Sequence, residues 1–290
     1  MSSCEFKYTP NEYKSDLKPV WCPGCGDFGV VNSLYRAFSE LKLDPHDTVV
    51  VSGIGCSSRL PGYVDTYGFN SLHGRALPIA TGVKLAAPAL NVVAVGGDGD
   101  GLAIGGNHFL HTARRNLDIA YILMDNEIYG LTKGQAAPTT PLGDKTKSTT
   151  YGNPEAAIDP CALAISFGAT WVARAFSGDV KGTAELMKRA IQHRGFAFLN
   201  VISPCVTWRG DDQFKELRGK VTAVAHDHDT GSRESALRYC NEEPDTVTTG
   251  VLYCVQHPTL VDEMAEIRTK ATAKKVPTRS DILSVFAPKF

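Results

Sequence analysis

The sequence contains no apolar run approaching the roughly 18 residues that a membrane-spanning helix needs, and its formal charge at neutral pH is only -1. The first absence argues against a helical membrane protein; the second removes any electrostatic reason to expect nucleic acid or a membrane surface as partner. The opening residues, Met1-Ser-Ser-Cys-Glu-Phe-Lys-Tyr8, lack the apolar core of a secretory signal, so the chain reads as cytoplasmic. Internal repeats and low-complexity tracts are missing too. So is a completed Gly-x-Gly-x-x-Gly: where it begins, at Gly53-x-Gly55 and Gly97-x-Gly99, the third position is Ser58 or Leu102. That counts against a nicotinamide or flavin dehydrogenase.

What is present is 290 residues, 43% hydrophobic and 21% charged, enough for one large α/β domain and an extension. The most informative stretch runs from Asn91 to Gln135. Asn91-Val-Val-Ala-Val95 and Ile119-Ala-Tyr-Ile-Leu-Met124 are short, unbroken apolar runs bounded by turn residues, as are strands of a parallel sheet with helices on both faces. A helix fits between them. Ligands of such a sheet gather beyond the carboxyl ends of its strands, which places the Gly96–Gly101 and Asp125–Gly130 loops side by side.

Gly97 and Gly99 would let the backbone approach a bulky anion, and the following helix would aim its N-terminal amides at it; a diphosphate suits that geometry. Asp98 offers a carboxylate and Asn126 an amide oxygen, which with a backbone carbonyl and diphosphate oxygens complete an oxygen-only shell for Mg2+. Gly97-Asp98-Gly99 followed at this distance by Asn126 resembles the thiamine diphosphate signature. The alternative is an ordinary glycine turn near a surface Asp-Asn.

Eight cysteines in a chain read as cytoplasmic suggest thiols or metal ligands rather than disulfides. Residues 1–20 are polar and read as an arm. Trp21-Cys-Pro-Gly-Cys-Gly26 then turns tightly enough to aim the sulfurs of Cys22 and Cys25 at one centre. Phe28, Val31, Leu34, Tyr35, Phe38 and Leu41 recur at helical spacing just after it, so the motif opens a helix whose amides should favour thiolate. Thr48–Val51 reads as the first central strand, leading to Cys56; after an irregular stretch, His73-Gly-Arg-Ala leads into a helix through Ala87. The long Gly, Pro and Thr-rich segment 131–160 should cover the cofactor.

Cys161–Phe167 reads as helix, Thr170–Arg174 as strand, Val180–His193 as a helix opened by Asp179, and Phe196–Ile202 as a buried strand ending at Ser203-Pro-Cys205. Beyond it, 206–290 reads as an extension with short helices near Gln213–Leu217, Ser232–Asn241 and Leu260–Ala273. Domain limits of 1–20, 21–205 and 206–290 follow. Cys22, Cys25, Cys56 and Cys205 could converge on the rim that holds the Gly-Asp-Gly loop, and four thiolates suit either zinc or a 4Fe-4S cluster. A pair joined to two distant singles favours the cluster. Cys4, Cys161, Cys240 and Cys254 read as ordinary cysteines, and a non-catalytic iron-sulfur or zinc module remains an alternative.

Taken with Gly53-Ile-Gly-Cys-Ser, Asp125-Asn-Glu-Ile-Tyr-Gly-Leu-Thr-Lys-Gly-Gln135 and Ser203-Pro-Cys205, these motifs make the span 21–208 resemble the β subunit of 2-oxoacid:ferredoxin oxidoreductases. The resemblance implies a 4Fe-4S cluster on Cys22, Cys25, Cys56 and Cys205, with Mg2+ on Asp98, Asn126 and the Ile128 carbonyl. Thiamine diphosphate would be held by Ile54, Gly55, Ser57, His73, Gly74, Arg75, Gly97, Gly99, Asp100, Gly130, Leu131, Thr132, Lys133 and Gln135.

The implied reaction is oxidative decarboxylation of a 2-oxoacid to acyl-CoA and CO2, with electrons leaving through the cluster to ferredoxin; it could also run in reverse to fix CO2 in a reductive citrate cycle. The chain's brevity and its Leu-Thr-Lys-Gly-Gln loop resemble two-subunit enzymes acting on 2-oxoglutarate, with pyruvate or a branched-chain 2-oxoacid as alternatives. The Arg59 position is implicated in substrate choice and the Lys133 position in CoA binding, while His73 could contact diphosphate or substrate. No glutamate in 21–208 sits in a motif placed to activate the cofactor. The resemblance assigns that group to an α subunit, in an αβ or (αβ)2 assembly, and the lone chain is expected to be inactive.

Overall fold

Strands buried on both faces need apolar side chains in both directions, and the short apolar runs satisfy that alternately. In the computed structural model, which describes residues 7–240, 246–273 and 277–286, the elements begin with helix α1 (Asp27–Leu41), strands β1 (Thr48–Ser52) and β2 (Tyr67–Asn70), helix α2 (Ala76–Ala86) and strand β3 (Asn91–Gly97). Helix α3 (Gly106–Arg114), strand β4 (Ile119–Asp125), the hairpin of β5 (Ile128–Tyr129) and β6 (Gln135–Ala136), and helix α4 (Pro160–Phe167) follow. Strand β7 (Trp171–Phe176), helix α5 (Val180–Gln192) and strand β8 (Phe196–Ile202) come next. The last part carries α6 (Val206–Arg209), α7 (Gln213–Lys220), β9 (Val221–Ala223), α8 (Arg233–Arg238), β10 (Val247–Cys254), α9 (Leu260–Thr272) and α10 (Arg279–Phe286).

The main sheet has eight strands in the order β2-β1-β3-β4-β8-β7-β10-β9. Strands β2, β1, β3, β4, β8 and β7 are mutually parallel, and β10 joins antiparallel to β7. Alternate residues feed two cores. Val93 and Val95 of β3, Ile122 and Met124 of β4 and Leu199 and Val201 of β8 pack on the α1 and α5 side. Val92, Ala94, Tyr121, Leu123, Phe196 and Phe198 pack on the opposite side with Phe109 of α3 and Ile165 of α4. Both faces are thus covered, as the apolar runs require.

The chain leaves β1 for β2 on one side and returns to β3 on the other, so the connections part at the carboxyl ends of the paired strands β1 and β3, where a crevice opens. Start signals agree with the sequence: Asp179 accepts from the Gly182 amide to cap α5, and Asp159 caps α4 with Pro160 in the first turn.

Three features differ from expectation. The stretch expected to be irregular contains β2, an exposed edge strand whose mixed residues give no apolar run. Residues beyond 206 are not only an extension: β10 enters the sheet, and Gly250 within Val247-Thr-Thr-Gly-Val-Leu-Tyr-Cys254 interrupts the alternation that would have announced it. The helix after Gly97 starts late, because Gly99–Ile104 first forms a wide π-helical turn in a glycine-rich segment of low α propensity. The Ser232–Asn241 helix appears as α8; Asn241 lies outside the described residues, as does Cys4.

Candidate functional site

The carboxyl ends of β1, β3 and β4 surround a cavity of about 210 Å3. Ile54, Gly55 and Ser57 line it from the first strand, Gly97, Asp98, Gly99 and Asp100 from the second, and Asn126, Ile128, Gly130, Leu131 and Thr132 from the third, with His73 at the side. Asp100 stitches these loops together. Its Oδ1 accepts from the Ile54 amide at 2.9 Å and the Gly74 amide at 2.7 Å, and lies 2.8 Å from His73 Nδ1. A carboxylate so engaged organises the pocket walls; it offers nothing to a diphosphate, which is itself an anion.

The two glycines of the signature have different reasons to be glycine. A β-carbon on Gly97 would meet nothing closer than Ser57 Oγ at 3.4 Å, so the cavity side is open there. On Gly99 it would lie 2.3 Å from the Tyr129 ring, whose hydroxyl donates to the Gly99 carbonyl at 3.0 Å. Gly97 leaves room for a ligand, whereas Gly99 makes room for the protein's own tyrosine.

Asp98 is almost fully buried, as is Asp125 at the end of β4. The Thr139 hydroxyl sits between them, 2.7 Å from Asp98 Oδ2 and 3.0 Å from Asp125 Oδ1. Burial, and then the neighbouring Asp125 charge, push the Asp98 carboxyl well above the usual range; burial also raises Asp125. The Asp98 carboxyl, the Asn126 amide oxygen and the Ile128 peptide carbonyl form a hard-oxygen donor set at the first cavity, and a divalent cation there would offset the repulsion between Asp98 and Asp125. Ser57 Oγ is buried beside them without a hydrogen-bond partner, an orphaned donor facing the place a diphosphate would take. The residues present therefore fit magnesium and a diphosphate.

Cys22, Cys25, Cys56 and Cys205 line a second cavity of about 250 Å3 that adjoins the first through Cys56, Asn126, Gly130 and Leu131. The described cysteines are all free. Among the described residues no three His, Cys, Asp or Glu groups lie placed to hold one metal ion. Cys25 does not favour thiolate as the helix amides suggested. Burial pushes Cys25 up strongly and Cys56 up to about 12, and the neighbouring Asp27 carboxylate adds to both. An iron centre would reverse this, since coordinated thiols lose their protons. Cys161, in contrast, is fully buried within α4 and donates weakly to the Ala173 carbonyl.

Three expected cofactor contacts, Arg75, Lys133 and Gln135, do not line the first cavity, and neither does Arg59, expected to influence substrate choice. Arg59 and Lys133 line the cysteine cavity and not the first one. Arg75 reaches only the carbonyls of His73 and Gly74, at 3.4 and 3.3 Å, and Gln135 is tied to Thr132. The long segment 131–160 does reach the site, through Thr139. Thr139, Asp125, Tyr129 and Asp27 were not singled out by sequence reasoning. Tyr129 and Asp125 stand inside a recognised motif, whereas nothing distinguishes Thr139 from the threonines around it. Asp27 is buried beside the first cavity, accepts from Ser203 Oγ at 2.7 Å, and is pushed up to about 6 by burial.

Among the described residues no helix is long and apolar enough to cross a membrane. Residues 53–201 match the family described as thiamine pyrophosphate enzyme, C-terminal TPP binding domain, and residues 205–269 match the C-terminal family of the pyruvate ferredoxin oxidoreductase beta subunit. The 2-oxoacid:ferredoxin oxidoreductase 2 subunit beta of Aeropyrum pernix is 52% identical over 197 residues, 68% of this chain and 64% of that protein. The chain thus spans slightly less than two thirds of that relative's length. The 2-oxoglutarate synthase subunit KorB of Methanocaldococcus jannaschii is 39% identical over 256 residues, 88% of this chain and 94% of that one. A solved structure, described as 2-oxoglutarate:ferredoxin oxidoreductase from Magnetococcus marinus with 2-oxoglutarate, coenzyme A and succinyl-CoA bound, superposes with a TM-score of 0.91 at 43% identity, covering 97% of this chain and 96% of that one.

Proposed function

Because the chain belongs to the family of 2-oxoacid:ferredoxin oxidoreductase β subunits, we propose that with an α subunit it converts 2-oxoglutarate and CoA to succinyl-CoA and CO2 in the cytoplasm, passing two electrons to ferredoxin. The observation that carries this reading is the shared wall of the two cavities. Asn126, Gly130, Leu131 and Cys56 face both, so an electron-releasing centre and a one-electron acceptor would be close neighbours. The choice of 2-oxoglutarate is supported by the relatives' names.

When bound, thiamine diphosphate supplies the carbanion chemistry and a 4Fe-4S cluster the one-electron acceptor. The chain's own residues do the rest. Asp98, Asn126 and the Ile128 carbonyl would hold Mg2+, with Thr139 fixing Asp98 by a hydrogen bond. Ser57 Oγ would donate to the diphosphate across the space left by Gly97. The Asp100 carboxylate accepts from His73 Nδ1, which leaves Nε2 as the imidazole's free acceptor. Cys22, Cys25, Cys56 and Cys205 would ligate the cluster. Arg59 and Lys133 stand at the open side of the cysteine cavity, where they would meet the anionic substrate and CoA.

Among the described residues no glutamate lines the first cavity, which supports an α subunit as source of the activating carboxylate. An αβ or (αβ)2 assembly follows. The test is anaerobic purification with the native partner, followed by ferredoxin or dye reduction across a panel of 2-oxoacids with CoA. The expected result is fastest reduction with 2-oxoglutarate, strict dependence on CoA, and no turnover by the lone chain. Faster reduction with pyruvate would overturn the substrate assignment, and turnover by the isolated chain the need for a partner.

A further inference from the structure

The residues just after Cys205 reach back to both cavities. The amides of Trp208 and Arg209 in α6 donate to the Cys205 carbonyl at 3.3 and 2.9 Å, so whatever fixes Cys205 fixes the origin of both side chains. Trp208 donates its indole N–H to the Gly130 carbonyl at 2.9 Å. Gly130 stands in the wall between the cavities: a β-carbon there would lie 3.6 Å from the sulfurs of both Cys56 and Cys205. The indole also covers Gly134, where a β-carbon would lie 2.8 Å from the ring.

Arg209 spans two carboxylates. Its guanidinium lies 2.7 Å from Glu127 Oε2 and 2.7 Å from Asp144 Oδ2, with only 16% of its side chain exposed. Glu127 separates Asn126 from Ile128 and has φ of +59°. A glutamate keeps that left-handed conformation only where its surroundings impose it. The Arg209 pair and the Thr140 hydroxyl, which donates to the Glu127 carbonyl at 2.6 Å, supply the constraint. Arginine's planar fork holds the two carboxylates on separate nitrogens in a fixed geometry, whereas a lysine would bring both to one flexible ammonium.

Resting on the functional reading above, we propose that Trp208 and Arg209 are positioning residues that couple the cysteine cavity to the magnesium turn, so that a cluster held on Cys205 raises affinity for Mg2+ and thiamine diphosphate. With the cluster bound, residues 205–209 hold the Asn126–Ile128 turn and the Gly130 wall in binding geometry. By linkage the effect is reciprocal, and bound thiamine diphosphate protects the cluster.

The test uses the αβ complex purified anaerobically. Thiamine diphosphate is titrated calorimetrically at saturating Mg2+, before and after cluster removal, with iron content and electron paramagnetic resonance reporting the cluster. The wild-type complex is expected to bind about tenfold more weakly once depleted. Arg209→Met should retain full iron and an unchanged resonance spectrum, bind about tenfold more weakly when loaded, and lose little more on depletion. Arg209→Lys should fall between. If Arg209→Met fails to accumulate, Trp208→Phe, which keeps the ring and loses the N–H, carries the same comparison. Wild-type affinity indifferent to the cluster, or depletion effects that simply add to those of Arg209→Met, overturns the coupling. A complex that takes up iron but no thiamine diphosphate overturns the functional reading itself.

Discussion

The Thr139 hydroxyl lies 2.7 Å from Asp98, although 41 residues separate them. A hydroxyl has one proton to give, and here it stands between Asp98 and Asp125, neither of which is exposed. The long Gly and Pro-rich segment is thereby tied to the end of β3. Thr139→Val keeps the shape and removes the donor, leaving a buried carboxyl short of a partner at a cost of about 1–3 kcal/mol. The expected outcome is a lower urea midpoint and about tenfold weaker Mg2+-dependent thiamine diphosphate binding. Unchanged affinity by calorimetry would show that Thr139 does not position Asp98.

Gly99→Ala should be worse than Gly97→Ala for the fold, because only the first drives a methyl into the Tyr129 ring. Gly97→Ala should instead fold normally and bind the cofactor poorly, since its methyl takes ligand space. Combining Gly99→Ala with Tyr129→Ala should recover much of the lost stability, by relief of the overlap. Thermal unfolding of the two single variants and the double variant checks all three. A double variant no more stable than Gly99→Ala would show that the ring is not the obstacle.

Replacing Cys22, Cys25, Cys56 or Cys205 by Ser should each abolish or strongly alter the iron-sulfur absorbance of anaerobically purified protein, while Cys161→Ala leaves iron content intact. Chelating the iron should raise the reactivity of the four thiols toward alkylating agents, Cys22 first because it is exposed. Full iron retention in a Cys205→Ser variant would remove that residue from the ligand set.

Acid should remove a stabilising contribution of His193. This imidazole is buried against the Thr170 hydroxyl at 2.8 Å and Gln256 at 3.3 Å, and burial lowers its pKa to about 4. The folded value lies below the unfolded one of about 6.5, so the native state resists a proton that the unfolded chain accepts. The contribution of His193 is therefore flat above that pH, falls as pH drops through about 6.5, and levels off again below about 4, a loss of about 2 kcal/mol at pH 5 that is opposed by Asp27, whose carboxyl takes up a proton in the folded state at about 6. Urea midpoints of wild type and His193→Gln from pH 7.5 to 5 isolate it, because the carboxyls are common to both: the variant should gain on the wild type as pH falls. A difference between the two that does not change with pH would place the titrating group elsewhere.

The strands and the turns that end them were legible because their signals are local. Val92–Val95 and Ile119–Met124 alternate between two cores that both demand apolar groups, so unbroken runs appear. Strand β10 was hidden because it enters antiparallel beside β7 and carries threonines and Gly250 in place of such a run. Asp100 was legible as part of the site but not in its role: a carboxylate beside a diphosphate signature looks like a ligand, and only its three donors reveal a brace.

By itself the sequence determined that a parallel sheet would carry glycine turns at its strand ends, and that a carboxylate, an amide and the thiols of Cys56 and Cys205 would stand at such ends, with Cys22 and Cys25 ahead of the first helix, because chain direction and residue periodicity dictate which ends share a rim. Tertiary structure alone decided which of those groups face a cavity, which brace another loop, and that Thr139, Trp208 and Arg209 belong with them. Those contacts join residues far apart in the chain through single hydrogen bonds and ion pairs, and no local periodicity records a partner chosen by packing.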